Sequence, residues 1–282
     1  MLPNFLIPGF AKCGTTSLHY HLGRHPQIFM SEPKEPHFFS REEISDADLR
    51  WYRSLFEGVT VEKAVGESSP SYTTPALCRR SAQRIANHIP SCRLIFLVRD
   101  PLARLESEWR MRARERWASI DIMDAIKADS ALVETGLYWH QIDAYRSLFP
   151  DDRILVVFLE NLTENPQHEL RRCYRHLGVD DTLDTANEFI ALNTAEGGRR
   201  PRKVFASLVQ SRISQSVRVW LPSLHNLAKR LTTTEFDADP VWDPGVRDHI
   251  IERYQRDASQ LFAFCGQPSA IWSFGKKRGP SG

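Results

Sequence analysis

Short apolar runs separated by amphipathic stretches set the pattern of this chain. Residues 5–7 (FLI), 64–67 (AVGE), 93–98 (RLIFLV) and 153–159 (RILVVFL) are of strand length. The 93–98 run is nearly continuous in hydrophobicity, as expected for a strand covered on both faces. Between these runs the apolar positions recur at helical spacing. A helix opens near Thr15, and another spans 46–56 with Leu49, Tyr52, Leu55 and Phe56 on one side. Further helices are expected at 75–89, closed by Pro90, from Asp100-Pro101 onward, at 137–149, and at 165–177, stopped by Gly178. Residues 30–39, with two prolines and paired phenylalanines, predict an irregular loop ending in a short extended piece. Residues 180–200 lose periodicity. Two helical stretches follow, 204–231 and 244–264, and the polar tail 276–282 reads as disordered. Alternating strands and helices predict one α/β domain over 1–275, a P-loop-like, mostly parallel central sheet flanked by helices. Ligands of such sheets gather at the carboxyl ends of the strands.

Composition narrows the class without naming it. The chain has 282 residues, 41% hydrophobic and 26% charged, which suits a soluble globular enzyme. A net charge of +2 gives no general nucleic-acid or membrane surface, so basic character matters only locally, at 110–116 and 199–203. The first of these runs reads as a solvated helix face, with contact to an anionic acceptor as the alternative. Five cysteines without a CxxC pair fit reduced thiols better than a disulfide frame or a zinc site. No 18-residue apolar span and no leader-like opening are present, so a soluble, cytoplasmic protein without membrane insertion is the expectation. The sequence carries no signal for oligomeric state.

Candidate chemistry begins at residues 5–22, FLIPGFAKCGTTSLHYHL. Strand, glycine-bearing loop and helix N-terminus together make an anion site, because loop and first-turn N–H groups point at one place and the helix dipole is positive there. Lys12 adds a full charge, and Thr15, Thr16 and Ser17 add hydroxyls. Gly9 and Gly14 keep the glycine spacing of the nucleotide-triphosphatase loop, but Thr15 takes its lysine position and Lys12 lies inside the loop. The same residues also fit an ordinary strand-to-helix turn. A second candidate is Arg99, at a strand end, with Ser107 about two helical turns further on. Fork and hydroxyl together can hold one phosphate; an Arg99–Asp100 ion pair is the alternative.

Taken in order, the lysine-plus-GTTS loop and the strand ending in RDP-x-x-R-x-x-S-x-W resemble the family of sulfotransferases that use 3′-phosphoadenosine 5′-phosphosulfate (PAPS). The resemblance continues through Lys34-Glu-Pro-His-Phe-Phe39, Gly66-Glu-Ser-Ser-Pro-Ser-Tyr72, Gly178, Asp243-Pro, Leu261 and Trp272, and so covers most of the chain. It is nearest the branch holding the heparan sulfate N- and 3-O-sulfotransferases and their bacterial relatives. It implies that Lys12 meets the oxygen bridging phosphate and sulfuryl group, while Cys13, Gly14, Thr15, Thr16 and Ser17 surround the 5′-phosphate. Arg99 and Ser107 would hold the 3′-phosphate, and Arg199 would reach the co-substrate from a late glycine-arginine loop. Glu35 would be the general base, raised by desolvation among Pro36, Phe38 and Phe39, with His37 orienting or assisting it. Glu67, at a strand end, is the competing base; the alternatives are that it holds Lys12 or, with Ser68, contacts the acceptor.

The implied reaction is in-line sulfuryl transfer to a hydroxyl, ahead of an amine, of a carbohydrate-like or small-molecule acceptor, with no metal. The sequence departs from that branch in three places. Ser68 stands where the branch has a lysine, leaving Lys12 alone or a substitute at Lys34 or Lys63. The branch's disulfide-closed hairpin is missing before residues 197–200, and Cys13 takes a small-residue position. His19 and His21 read as surface or interface residues, and Trp51, Trp109, Trp117 and Trp139 as core or pocket walls, one of them able to stack on adenine. Two rival functions remain open at this point. One is a P-loop small-molecule kinase; the other is a nucleotide-binding module without turnover.

Overall fold

The computed structural model of the protein describes residues 1–115, 118–183, 198–201, 233–236 and 238–275. Five strands form one parallel sheet: β1 (Phe5–Ile7), β2 (Ile28–Met30), β3 (Ala64–Ser68), β4 (Arg93–Val98) and β5 (Ile154–Phe158), in the order β2-β3-β1-β4-β5. Phe5 pairs with Gly66 on one side and Arg93 on the other. Gly66 has no room for a side chain, since a Cβ there would lie 2.4 Å from the Phe5 ring. From β1 the chain crosses towards the β2 edge, whereas from β4 it proceeds to the opposite edge at β5. The carboxyl ends of neighbouring β1 and β4 therefore flank a topological switch point, the crevice where open α/β sheets take their ligands.

The helices are α1 (Thr15–Leu22), α2 (Asp46–Ser54), α3 (Cys78–His88), α4 (Pro101–Arg114), α5 (Ile122–Ala128), α6 (Ala131–Glu134), α7 (Tyr138–Arg146), α8 (Leu159–Glu164), α9 (Pro166–Leu177) and α10 (Pro244–Cys265). Their ends follow capping chemistry. Ser45 and Asp48 form a capping box on α2, and the Asp100 carboxylate accepts from the Leu102 and Ala103 amides ahead of Pro101. Asn165 caps α9, and Gly178 ends it at φ 73°. Helix α1 packs on β2 and β3, α9 on β4 and β5, and α10 on α7 and α4. A separate antiparallel ribbon joins β6 (Gly198–Pro201) to β7 (Thr233–Phe236), and β6 runs close to α4.

Strands β1, β3, β4 and β5 and helices α1, α2, α4, α9 and α10 follow the expected pattern, while several other elements differ from it. Residues 30–39 end in a 3-10 turn, Phe38–Ser40, and not in an extended piece. The helix expected at 75–89 begins only at Cys78, because Pro70–Thr73 forms its own 3-10 turn. Arg199 sits on a strand where an aperiodic loop was expected. The stretch 204–231, Arg116, Trp117 and the tail 276–282 lie outside the described residues.

The basic run on α4 is not a solvated face. Arg110 donates to the Ala238 carbonyl, and Arg112 pairs with Glu108 and Asp129. Arg104, fully buried, pairs with Glu108 and donates to the Leu132 carbonyl. His19 and His21 are not surface residues either; His21 is buried, and burial lowers the His19 pKa to about 4. Trp109 is fully buried in the core, whereas Trp51 is 37% exposed beneath the Arg41 guanidinium. Among the described residues no helix is long and apolar enough to cross a membrane.

Candidate active site

The loop after β1 is shaped to bring backbone amides round a point at the start of α1. Gly9, Lys12 and Gly14 all have left-handed φ, at 40°, 66° and 90°. A Cβ on Gly9 would lie 2.4 Å from Thr15 Cγ2, so only glycine lets the loop close against the helix. Helix α1 starts with no side-chain cap and no acidic residue in its first turn. Its end thus keeps the positive dipole and donors that favour an anion. Tyr138 fixes this loop to the neighbouring one. Its hydroxyl donates to the Arg99 carbonyl at 2.9 Å and lies 3.5 Å from the Cys13 thiol. Burial holds that thiol protonated, with its pKa raised to about 11.

Three cations meet here. The Arg99 guanidinium donates to the Lys12 carbonyl at 3.3 Å, joining the β1 and β4 loops across the switch point. Lys12 is itself half-buried, and its pKa is lowered first by burial and then by the charges of Arg114 and Arg99. An ammonium so placed gains from any anion that arrives. Arg114, at the far end of α4 and within the basic run 110–116, adds to the positive field at Lys12. Ser107 is buried on the same helix.

The second arm of the site is the loop after β2. Lys34 Nζ lies 3.4 Å from Thr15 Oγ1, at the start of α1, and 2.5 Å from Glu35 Oε1. The other Glu35 oxygen is 3.5 Å from His37 Nε2. His37 Nδ1 and Ser71 Oγ are 2.8 Å apart, and burial lowers the His37 pKa, keeping the ring neutral near pH 7. Glu35 is not enclosed by its aromatic neighbours. Phe38 and Phe39 turn into the core, Phe38 stacking on Tyr52 at 4.1 Å, while Glu35 stays 39% exposed. Of the two lysines considered as substitutes at Ser68, Lys34 reaches the site. Lys63 precedes β3, at the opposite end of the sheet, where its amide donates to the Gln27 carbonyl.

Glu67 and Ser68 differ from expectation. Both are fully buried, so neither offers a group to an acceptor. Glu67 Oε1 accepts from Tyr72 at 2.6 Å and from Tyr52 at 3.3 Å. Oε2 has no donor in ideal geometry, although the Ser69 hydroxyl is close enough to favour the charged form. Burial outweighs these donors and raises the Glu67 pKa to about 7. The folded chain therefore binds more protons here than the unfolded chain between about pH 4.5 and 7. Denaturant unfolding of wild type is expected to lose on the order of 3 kcal/mol, relative to Glu67→Gln, as pH rises through that window, and nothing further above it. Equal pH slopes for the two proteins would contradict this.

Among the described residues no group of histidine, cysteine, aspartate or glutamate is placed to hold a metal ion. Arg199 has its backbone on β6, near α4. The arrangement can bind a doubly anionic group at α1, offer cations on two sides of it, and present a carboxylate–imidazole pair to a proton donor nearby.

Comparison with known proteins agrees with this geometry. The sulfotransferase domain family matches residues 2–200. The chain is 30% identical over 216 residues to heparan sulfate glucosamine 3-O-sulfotransferase 6 of Homo sapiens, a match covering 71% of this chain and 61% of that protein. It is 30% identical over 149 residues to membrane-associated sulfotransferase kil1 of Dictyostelium discoideum, covering 50% and 31% respectively. The chain thus spans about three-fifths of the first relative and less than a third of the second. The crystal structure of a sulfotransferase from Alicyclobacillus acidocaldarius shares the fold, with a TM-score of 0.67 at 23% identity over 96% of this chain and 99% of that one. The sulfotransferase domain of the curacin biosynthetic pathway superposes with a TM-score of 0.53 at 17% identity over 93% and 98%. With the family matched across residues 2–200, the chain belongs to the sulfotransferase family.

Proposed function

We propose that this chain moves the sulfuryl group of 3′-phosphoadenosine 5′-phosphosulfate to a hydroxyl of a carbohydrate-like acceptor. The observation that carries the reading is the meeting, at one switch point, of an uncapped helix N-terminus, Lys12, Arg99 and the Lys34–Glu35–His37 group. The 5′-phosphate belongs at the start of α1, held by the loop amides and by Thr15, Thr16 and Ser17. Lys12 neutralises charge on the bridging oxygen as the bond to sulfur breaks. Lys34, between Thr15 and Glu35, supplies the second positive charge that Ser68 does not. Arg99 and Ser107 take the 3′-phosphate, and Arg199 is the further co-substrate contact that the family resemblance implies. Glu35 removes the acceptor proton, and His37, fixed by Ser71, orients it.

Sulfuryl transfer passes through a loose transition state, so positioned charge does most of the work. The heparan sulfate named for the first of the relatives supports a glycan acceptor. A kinase reading is weaker, because Thr15 occupies the position where the nucleotide-triphosphatase loop needs its lysine.

Calorimetric titration with 3′-phosphoadenosine 5′-phosphate and with ADP, each with and without magnesium, tests the reading. The first nucleotide is expected to bind at least about tenfold more tightly, the worth of one charge-assisted phosphate contact, and without regard to magnesium. Equal or tighter binding of ADP that requires magnesium would replace this function by the kinase.

A further inference from the structure

The buried glutamate on β3 has no role in the chemistry above, yet the hydrogen bonds around it all lead to the loop that carries Glu35 and His37. The His37 amide donates to Ser69 Oγ at 3.0 Å, and the Phe39 amide donates to the Tyr72 hydroxyl at 3.4 Å. A hydroxyl has one proton to give. Tyr72 gives its proton to Glu67 Oε1 at 2.6 Å, and Ser69 acts on the same carboxylate. Tyr52, whose ring stacks under Phe38, donates to Oε1 as well. Ser68, next to Glu67, donates its amide to the Lys34 carbonyl at 3.2 Å. Loop amide to hydroxyl to carboxylate is thus the direction through Tyr72, and Ser69, which holds the His37 amide, lies beside the same carboxylate.

A buried carboxylate is costly and persists where several donors need a common acceptor. We propose that Glu67 is a positioning residue: the shared acceptor that orients the Tyr72, Ser69 and Tyr52 hydroxyls so that they hold the loop bearing Glu35 and His37. The consequence for turnover rests on the sulfotransferase reading; the consequence for the loop does not. Glu67→Gln keeps the side-chain volume but turns one acceptor oxygen into a donor. With its oxygen at the Oε1 place the side chain still accepts from Tyr72 and Tyr52, but as a neutral acceptor, so the network that holds the loop amides is weakened.

Amide hydrogen exchange, read residue by residue at pH 8, tests this directly. In folded Glu67→Gln, exchange at His37, Phe39 or both is expected to speed up by on the order of tenfold, the loss of one hydrogen bond to a charged network. Binding of 3′-phosphoadenosine 5′-phosphate should stay within about twofold, because no loop amide of α1 depends on Glu67, and kcat should fall by about tenfold. In a Glu35→Gln background the same substitution should cost nothing more, since it acts through that residue.

Unchanged exchange at both amides, or a further multiplicative fall in the Glu35→Gln background, would overturn the proposal. If Glu67→Gln does not fold, Tyr72→Phe replaces it. Phe39 exchange should then rise while His37 exchange does not, and no change at Phe39 would overturn the proposal equally. Should Glu35→Gln keep full activity, the base assignment fails by itself, and the exchange data still decide the role of Glu67.

Discussion

Lys12→Ala is expected to lower turnover by about a thousandfold, the scale seen when a charge aimed at a developing anion is removed. Its ammonium sits in a loop whose shape comes from backbone geometry, Gly9 and Gly14 above all, so the fold should tolerate the change. The loss should appear mainly in kcat under saturating PAPS, because the bridging oxygen gains most of its charge as the bond breaks. The lowered pKa of Lys12 has the same origin. Burial and the charges of Arg114 and Arg99 leave the ammonium short of negative partners until an anion arrives. Single-turnover rates with saturating PAPS measure the effect, and a loss of less than about tenfold would remove Lys12 from the reacting bond.

Glu35→Gln should lower kcat by about a hundredfold to ten-thousandfold, the range of general-base contributions, while nucleotide binding measured by calorimetry stays unchanged. The substitution preserves shape and removes the carboxylate that Lys34 and His37 flank. His37, its pKa lowered by burial, keeps a free ring nitrogen near neutral pH and is the nearest alternative proton acceptor. Near-normal turnover in this variant would pass the base role to another group, and fully buried Glu67 is a poor successor.

Much of the fold was legible because its inner strands are apolar runs bounded by glycine, proline or charge. Strands β1 and β4 were found to the residue. Strand β2 was missed because Ile28–Met30 is too short to show a period between His25-Pro26 and Pro33. Helices α5 and α6 are similarly brief. The ribbon of β6 and β7 pairs segments distant in sequence, so no hairpin turn announces it. Lys12 and Arg99 stood out because local spacing places them in a loop and at a strand end, and Glu35 stood out only through the family resemblance. Arg114 stood out only as part of a basic run, because its effect on Lys12 depends on where α4 goes. Glu67 did stand out, as a charge inside an apolar strand, but its orientation into the tyrosine cluster is a tertiary property. The charged side chains of α4 misled for the same reason: helical spacing reveals which residues share a face, not what that face meets.

The end of the described chain bears on the order in which the molecule forms. Asp100, which caps α4 beside Arg99, also accepts from the Phe274 amide at 2.7 Å, a bond across 174 positions of sequence. Glu160 completes the clasp, accepting from the Asp100 amide at 2.8 Å and from the Trp272 indole at 3.2 Å. Contacts of such long range carry a loop-closure cost and form late. On a ribosome, where synthesis runs from the amino end, the parallel sheet has all its strands once residue 158 has emerged, but this clasp waits for residue 274. A nascent chain released before that point would hold the loop after β1 without the clasp that steadies the Arg99 corner.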